Sequence, residues 1–436
     1  MFADRRRRFM SKMNGGAALL FAAPERTRSN DTDYRYRQDS YFEYLTGFPE
    51  PGAAALIQPD HPTHPFVLFV RDRNLEREIW DGRRYGPEGA KTHFGADAAY
   101  TIDELDEVVA SNLENQEKLY YGLGRYPEKD QQVMGILERV RSKVRSGINA
   151  PTSIEDPSEI LDELRLIKMP EELEIMRQAA SISAEAHRNA MQSIKPGMRE
   201  YEVEAIIEYT FRRRGAVSPA YSTIAGSGVN ATILHYTENT DLCRDGDLFL
   251  VDAGAEYRGY AADITRTYPV NGSFSPAQKA IYELVLDAQL KAIDKVRPGV
   301  LYNEIHNAAV RALVEGLVKL GLLKGNVDEL IENEGYTDYY MHKTGHWLGL
   351  DVHDVGRYRQ GEAWRPLEPG MVLTVEPGLY FGEHLKDVPD EYKGMGVRIE
   401  DDVLVTSSDP EVLTRETPKS IAEIEGVMAG SSAVLI

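Results

Sequence analysis

Leu248-Phe-Leu-Val-Asp252-Ala-Gly-Ala-Glu-Tyr257-Arg-Gly-Tyr-Ala-Ala-Asp263-Ile-Thr-Arg266 reads as an antiparallel hairpin, with an apolar strand, a turn near Tyr257-Arg258-Gly259 and a returning strand. Pairing Tyr257 with Arg258 sets Asp252 opposite Asp263. Aspartates facing each other across a ladder have side chains about 5 Å apart, where like charges repel unless something positive lies between them. A lone aspartate in such a place most simply caps a turn or stays solvated. Here the Leu248–Val251 run argues for a buried strand, and burying two unpaired carboxylates is costly. A cation between them resolves the conflict.

Other candidate ligands lie outward from this hairpin. In Gly396-Val-Arg-Ile-Glu-Asp-Asp-Val-Leu-Val405, alternation puts Val397 and Ile399 on one face and Arg398 and Glu400 on the other. An arginine two residues before a ligand can orient it through a hydrogen bond. Glu376 follows the apolar strand Met371–Val375 and precedes Pro377-Gly378, where a strand meets a turn and side chains often enter sites. The stretch from Met341 to Asp354 holds His342, His346 and His353. Helical zinc-protease spacing is excluded for the first two, because no glutamate follows His342 and Gly345 and Gly349 disfavour a helix. An extended or turning segment would spread the three histidines around one cavity, with His235 a further candidate on a strand or loop.

A chain of 436 residues exceeds one ordinary core, and roughly 100 to 200 residues per domain suggests two or three. Residues 1–165 mix short apolar runs with turn clusters and acidic helical stretches, as a small α/β domain does. The turn formers of Pro151–Pro157 and the helix start at Pro170 place a boundary near 165. In residues 166–436, two helical pairs, each followed by strands, predict an α+β catalytic domain with a curved, mainly antiparallel sheet backed by helices.

With 42% hydrophobic and 28% charged residues the chain is of the folded, globular kind. Its formal charge of -20 argues against a nucleic-acid partner, which needs clustered Lys and Arg. The one cysteine, Cys243, rules out an internal disulfide framework and a thiolate-rich metal site. Arg5–Arg8 faintly suggests an export signal, but the apolar run Ala17–Ala23 is short and reads better as a buried strand. No stretch approaches the ~20 apolar residues that span a bilayer, so a cytoplasmic protein without a membrane partner is expected.

Asp252, Asp263, His346, Glu376 and Glu400 together would give four carboxylates and one imidazole. So oxygen-rich a set suits Mn²⁺ or Co²⁺, with Zn²⁺ also possible. Five side chains suffice for two divalent cations if two carboxylates bridge, and such a pair can hold a bridging hydroxide and polarise a carbonyl.

At these residues the chain resembles the aminopeptidase P (Xaa-Pro aminopeptidase) branch of the "pita-bread" metallopeptidases. The Asp252 hairpin with its Asp263-Ile-Thr-Arg266, the run His346-Trp-Leu-Gly-Leu-Asp-Val-His353-Asp-Val-Gly356, Thr374-Val-Glu376-Pro-Gly-Leu-Tyr380 and Val397-Arg-Ile-Glu400-Asp401 occur in order. Phe21-Ala-Ala-Pro-Glu-Arg-Thr-Arg-Ser29 and Tyr36-Arg-Gln-Asp-Ser-Tyr-Phe-Glu-Tyr-Leu-Thr-Gly-Phe48 resemble the first, creatinase-like domain of bacterial members. The resemblance implies that Asp252 binds one metal, Asp263 and Glu400 bridge, and His346 and Glu376 complete the second site. It implies Glu376 as proton carrier, His353 at the oxyanion or substrate backbone, His342 at the proline pocket, His235 near the scissile bond, and Arg398 buttressing Glu400. Substrates would be peptides with proline second. Tyr358, in the poorly aligning loop Arg357–Pro366, is a candidate substrate contact. The family also suggests a homotetramer in which Trp80 or Asp31 approaches a neighbour's active site; packing for Trp80 and a turn for Asp31 are the plainer readings.

Three rivals share the fold. A prolidase-type dipeptidase needs a closed, basic pocket end, which the sequence does not show. A catalytically inactive binding module predicts missing ligands, whereas all five are present. A methionine aminopeptidase leaves the first 165 residues unexplained.

Overall fold

The computed structural model describes residues 1–430. The chain forms two compact units, Met1–Leu164 and Arg165–Ile436.

A mixed six-stranded sheet organises the first unit, in the order Ala98–Thr101, Phe66–Val70, Ala54–Ile57, Ala17–Phe21, Lys118–Tyr120, Ser153–Glu155. Its central pairings are antiparallel and its outer ones parallel. Leu19, Leu56 and Phe69 from the sheet pack with Val109 of helix Leu105–Asn112 and Ile136 and Val140 of helix Pro127–Arg141. Ala17–Phe21 is a fully buried strand, as its apolar run predicts. Two of the preceding arginines are structural: in helix Phe2–Lys12 the Arg5 guanidinium reaches the Tyr44 carbonyl and that of Arg6 the Leu45 carbonyl.

In the second unit helix Pro170–Ser193 packs on Glu200–Arg213, and Pro276–Ile293 on Asn303–Lys319. Each start has a local cause: Pro170 and Pro276 occupy first-turn positions where no amide hydrogen is needed, and Ser275 and Gln278 cap each other's backbone. The strands that follow each pair are antiparallel throughout. Leu248–Asp252 lies between Ile224–Ser227 and Thr265–Pro269; Val372–Val375 pairs with Asp401–Leu404, and Gly378–Tyr380 with Gly396–Arg398. Phe249, Val251, Val397 and Ile399 point into the core shared with the helices, which leaves the alternate faces for polar side chains.

One register differs from the sequence reading. Tyr257 pairs with Tyr260, and Asp252 with Thr265 rather than Asp263. A reversal needs loop residues, and Arg258 and Gly259 supply a two-residue turn with φ of +50° and +84°, the left-handed pair that suits a right-twisted hairpin. Because the shift is two residues, Asp252 and Asp263 still share a face.

Candidate metal centre

Asp252 stands at the end of its buried strand, and Asp263 just before the returning one. The Tyr221 hydroxyl lies between them, 2.6 Å from Asp252 Oδ1 and 2.5 Å from Asp263 Oδ1. On its other oxygen Asp252 accepts a 2.7 Å bond from Arg398. The same guanidinium donates to Thr265 Oγ1 and to the Tyr380 hydroxyl, and Thr265 Oγ1 donates to Glu400 Oε2 at 2.7 Å. Arg398 therefore holds Asp252 directly and supports Glu400 through Thr265 and through its charge.

His346 comes from the irregular segment 342–346, which is extended or turning and not helical. That segment lies so close to strand Val372–Val375 that a Cβ on Gly345 would meet the Thr374 carbonyl at 1.9 Å. This approach delivers His346 Nε2 to 3.4 Å from Asp263 and 3.7 Å from Glu376, at the end of the neighbouring strand. Its Nδ1–H donates to the Trp347 carbonyl at 3.0 Å, so Nε2 is the nitrogen left facing the carboxylates. Asp263, His346 and Glu400 each offer a ligand atom, and these lie within 4.8 Å of one another.

Electrostatics favour a cation here. Burial pushes Glu376 up to about 7, raises Asp263 and lifts Glu400 well above its ordinary value, with neighbouring carboxylates adding to the rise in each. Burial works against an imidazolium at His346, but the bond to Asp263 and the charge of Glu376 outweigh it and push its pKa up to about 9. The carboxylates thus draw a positive charge onto the nearest available group, and a divalent ion fits this donor set by supplying that charge.

All five residues line one cavity of about 590 Å³, together with Tyr221, His235, His342, His353, Tyr358 and Arg398. His353 lies 4.3 Å from His346, ring to ring, and its pKa is lowered by burial and by that neighbour. His342 bonds the Tyr380 hydroxyl through Nε2, and burial, with the Arg398 charge, depresses it to about 3, so it is neutral at pH 7. Tyr358 stacks on Trp347 and accepts its backbone amide hydrogen. A larger cavity of about 950 Å³ shares Lys343, Gly345 and Tyr358 but contains none of the five.

Neither Trp80 nor Asp31, both residues of the first unit, is among those that line this cavity. Trp80 is 84% exposed on helix Leu75–Asp81, which overturns its reading as a packing residue: the short helix buries none of its side chains. Asp31 is an exposed turn residue between strands Thr27–Ser29 and Thr32–Asp33. Cys243 is fully buried, and burial pushes its thiol up to about 12, as suits an inert side chain.

The sequence profile of metallopeptidase family M24 matches residues 174–407, and that of the aminopeptidase P N-terminal domain matches residues 2–120. The chain belongs to metallopeptidase family M24. It is 48% identical to the Xaa-Pro aminopeptidase of Escherichia coli, over 99% of this chain and 98% of the relative. It also matches the solved structure of an aminopeptidase from Pseudomonas aeruginosa, with a TM-score of 0.98 and 49% identity over 99% of this chain and 98% of that one. A zinc-substituted E. coli aminopeptidase P in complex with product superposes with a TM-score of 0.95 at 47% identity, covering 99% and 98% of the two chains. These likenesses make this M24 protein an enzyme, a hydrolase of the metallopeptidase class with the pita-bread catalytic fold.

Residues of the M24 site that sequence reasoning missed are Tyr221, Thr265 and Tyr380. None is a usual ligand of a divalent cation in such a site, and each joins it only through tertiary packing: Tyr221 on Asp252 and Asp263, Thr265 on Glu400, Tyr380 on His342 and Arg398. The buried pair of aspartates held the one available signal, because every oxygen not on a cation needs a donor.

Proposed function

We propose that this chain removes the N-terminal residue from peptides whose second residue is proline. Asp252, Asp263, His346, Glu376 and Glu400 would hold two divalent cations, with Asp263 and Glu400 bridging. Mn²⁺ suits the oxygen-rich donors best, and Co²⁺ or Zn²⁺ can replace it. When bound, such a pair supplies an acidified water and an electrophile for the scissile carbonyl. The chain's own groups do the rest. Glu376 carries the proton from water to the leaving nitrogen. His353 and His235 hold the substrate backbone around the scissile bond, and neutral His342 lines the proline pocket. Arg398 orients Asp252, and Tyr358 forms the rim.

The observation that supports this reading most is the convergence of Asp263, His346 and Glu400 within 4.8 Å in the cavity that also contains Asp252 and Glu376. The extensive likeness to Xaa-Pro aminopeptidases supports the specificity. A cytoplasmic homotetramer, in which Trp80 approaches a neighbour's site, completes the proposal. Among the described residues no helix is long and apolar enough to cross a membrane.

The test compares hydrolysis of an Xaa-Pro-Xaa tripeptide with that of an Xaa-Pro dipeptide, with Mn²⁺, Co²⁺ or Zn²⁺ added. Preference for the tripeptide is expected. Cleavage of the dipeptide alone would make the chain a prolidase, and silence on both with every metal would leave a binding module.

A further inference from the structure

Behind Glu400 lies a second polar assembly, none of whose charged members lines the cavity. Arg266 is completely buried, yet its guanidinium is fully engaged. One terminal nitrogen donates to the carbonyls of Thr265, at 2.9 Å, and Glu400, at 2.5 Å. Nε donates to the Pro418 carbonyl, and the other terminal nitrogen to the Thr417 carbonyl and, at 2.7 Å, to Asp401 Oδ1. Asp401, also completely buried, accepts three more bonds: from Thr414 Oγ1 at 2.7 Å, Gln289 at 2.8 Å and Lys419 at 2.7 Å.

A buried ion pair is a poor device for stability alone, because desolvation offsets the attraction. Its geometry points to a different purpose. Glu400 falls between strands Gly396–Arg398 and Asp401–Leu404, where the regular ladder is interrupted. Its amide donates to the Thr265 carbonyl at 3.1 Å, and its own carbonyl is left for Arg266. Arg266 bridges the carbonyls of Thr265 and Glu400 and, together with that amide bond, fixes the two backbones whose side chains make the 2.7 Å bond. A planar fork can do this while its other arm stays on Asp401; a lysine ammonium cannot reach both.

We propose that Arg266 is a positioning residue for the metal centre: anchored by Asp401 and by the segment Thr414–Lys419, it holds Glu400 where its carboxylate meets Asp263 and His346. This rests on the proposed role of Glu400 as a ligand. Indirect supports of this kind typically change metal affinity about 10- to 100-fold.

The experiment is calorimetric titration of the metal-free full chain with Mn²⁺, for wild type, Arg266→Lys and Glu400→Gln, alongside the thermal unfolding of each metal-free protein. Arg266→Lys keeps a charge opposite Asp401 and loses the fork. It is expected to weaken at least one cation by about 10-fold or more while remaining folded at the titration temperature. Wild-type affinity in a folded Arg266→Lys protein overturns the proposal. If that variant does not fold, Asp401→Asn serves instead, since it keeps an acceptor for the Arg266 fork and removes the charge that anchors it. A weakening of about threefold is expected there, and an unchanged titration overturns the proposal. Should Glu400→Gln bind both cations as wild type does, the ligand assignment itself fails; should it lose a cation while Arg266→Lys does not, only the positioning role fails.

Discussion

Asp252 shows at the scale of one residue how the site is built: one carboxylate oxygen lies on Tyr221 and the other on Arg398. A carboxylate this buried needs a donor at each oxygen, and a donor that is neutral can give way to a cation at lower cost than a charged one. Tyr221, whose hydroxyl is held protonated by burial and by the charges of Asp252 and Asp263, is suited to that exchange. Tyr221→Phe is therefore expected to lower kcat/KM on an Xaa-Pro-Xaa peptide about 10- to 100-fold, with the metal-free fold intact by circular dichroism. Unchanged turnover would show that the hydroxyl is idle. Asp263→Ala removes a group shared by Tyr221 and His346, and elemental analysis of the purified variant is expected to find at least one metal fewer per chain. Full metal content with wild-type turnover would refute the bridging role. Ligand types were legible in the sequence because Asp, Glu and His announce their chemistry. Tyr221 was not, since a tyrosine reads as packing until its neighbours are known.

Elements were legible to a similar degree, and for a physical reason. Apolar period and cap residues are local, so helices such as Pro276–Ile293 and strands such as Phe66–Val70 follow from short windows of sequence. Register depends on the turn, and the Arg258-Gly259 loop shifted it by two. Contacts between elements are a further step away. Helix Pro170–Ser193 carries His187, fully buried, with Nε2–H donating to the Ala253 carbonyl one residue beyond Asp252. Burial depresses its pKa from 6.5 to about 4, against the effect of that carbonyl. Between these values the unfolded chain binds a proton that the folded one refuses, so this stability is complete above pH 6.5 and is lost as the pH falls towards 4. Urea unfolding of the metal-free protein should show a loss of about 2 kcal/mol from this group between pH 7 and pH 5, absent in His187→Gln. Equal pH slopes for the two proteins would exclude His187 as the source. Gly345→Ala tests the neighbouring contact. Its methyl cannot share space with the Thr374 carbonyl, so segment 342–346 must shift and carry His346 with it. Metal affinity is expected to fall more than stability, and calorimetry beside thermal unfolding measures both.

For the whole molecule, the exposed side of helix Leu75–Asp81 is the feature least explained by one chain. Leu75, Ile79 and Trp80 are 73%, 82% and 84% exposed, on a helix of seven residues that buries none of its side chains. Apolar groups gathered so tightly on a protein of charge -20 would suit the surface that the proposed homotetramer covers. Such a helix is about 10 Å long and cannot alone furnish the roughly 800 Å² per partner of a stable contact, so further residues must join it. In the proposed homotetramer the partner is another copy of the chain, and its charge sets the conditions: like charges oppose association at low salt, and screening at a Debye length of about 10 Å in 0.1 M salt relieves them. Sedimentation velocity is expected to give a tetramer that persists on dilution and strengthens with salt. Ile79→Glu with Trp80→Glu places two carboxylates in the covered surface and is expected to yield a smaller species. Its metal content should stay at the wild-type level, because neither residue lines the cavity, while kcat/KM falls if Trp80 completes a neighbour's site. A wild-type monomer at every salt concentration, or a double variant that still sediments as a tetramer, would return these apolar side chains to the category of unexplained surface.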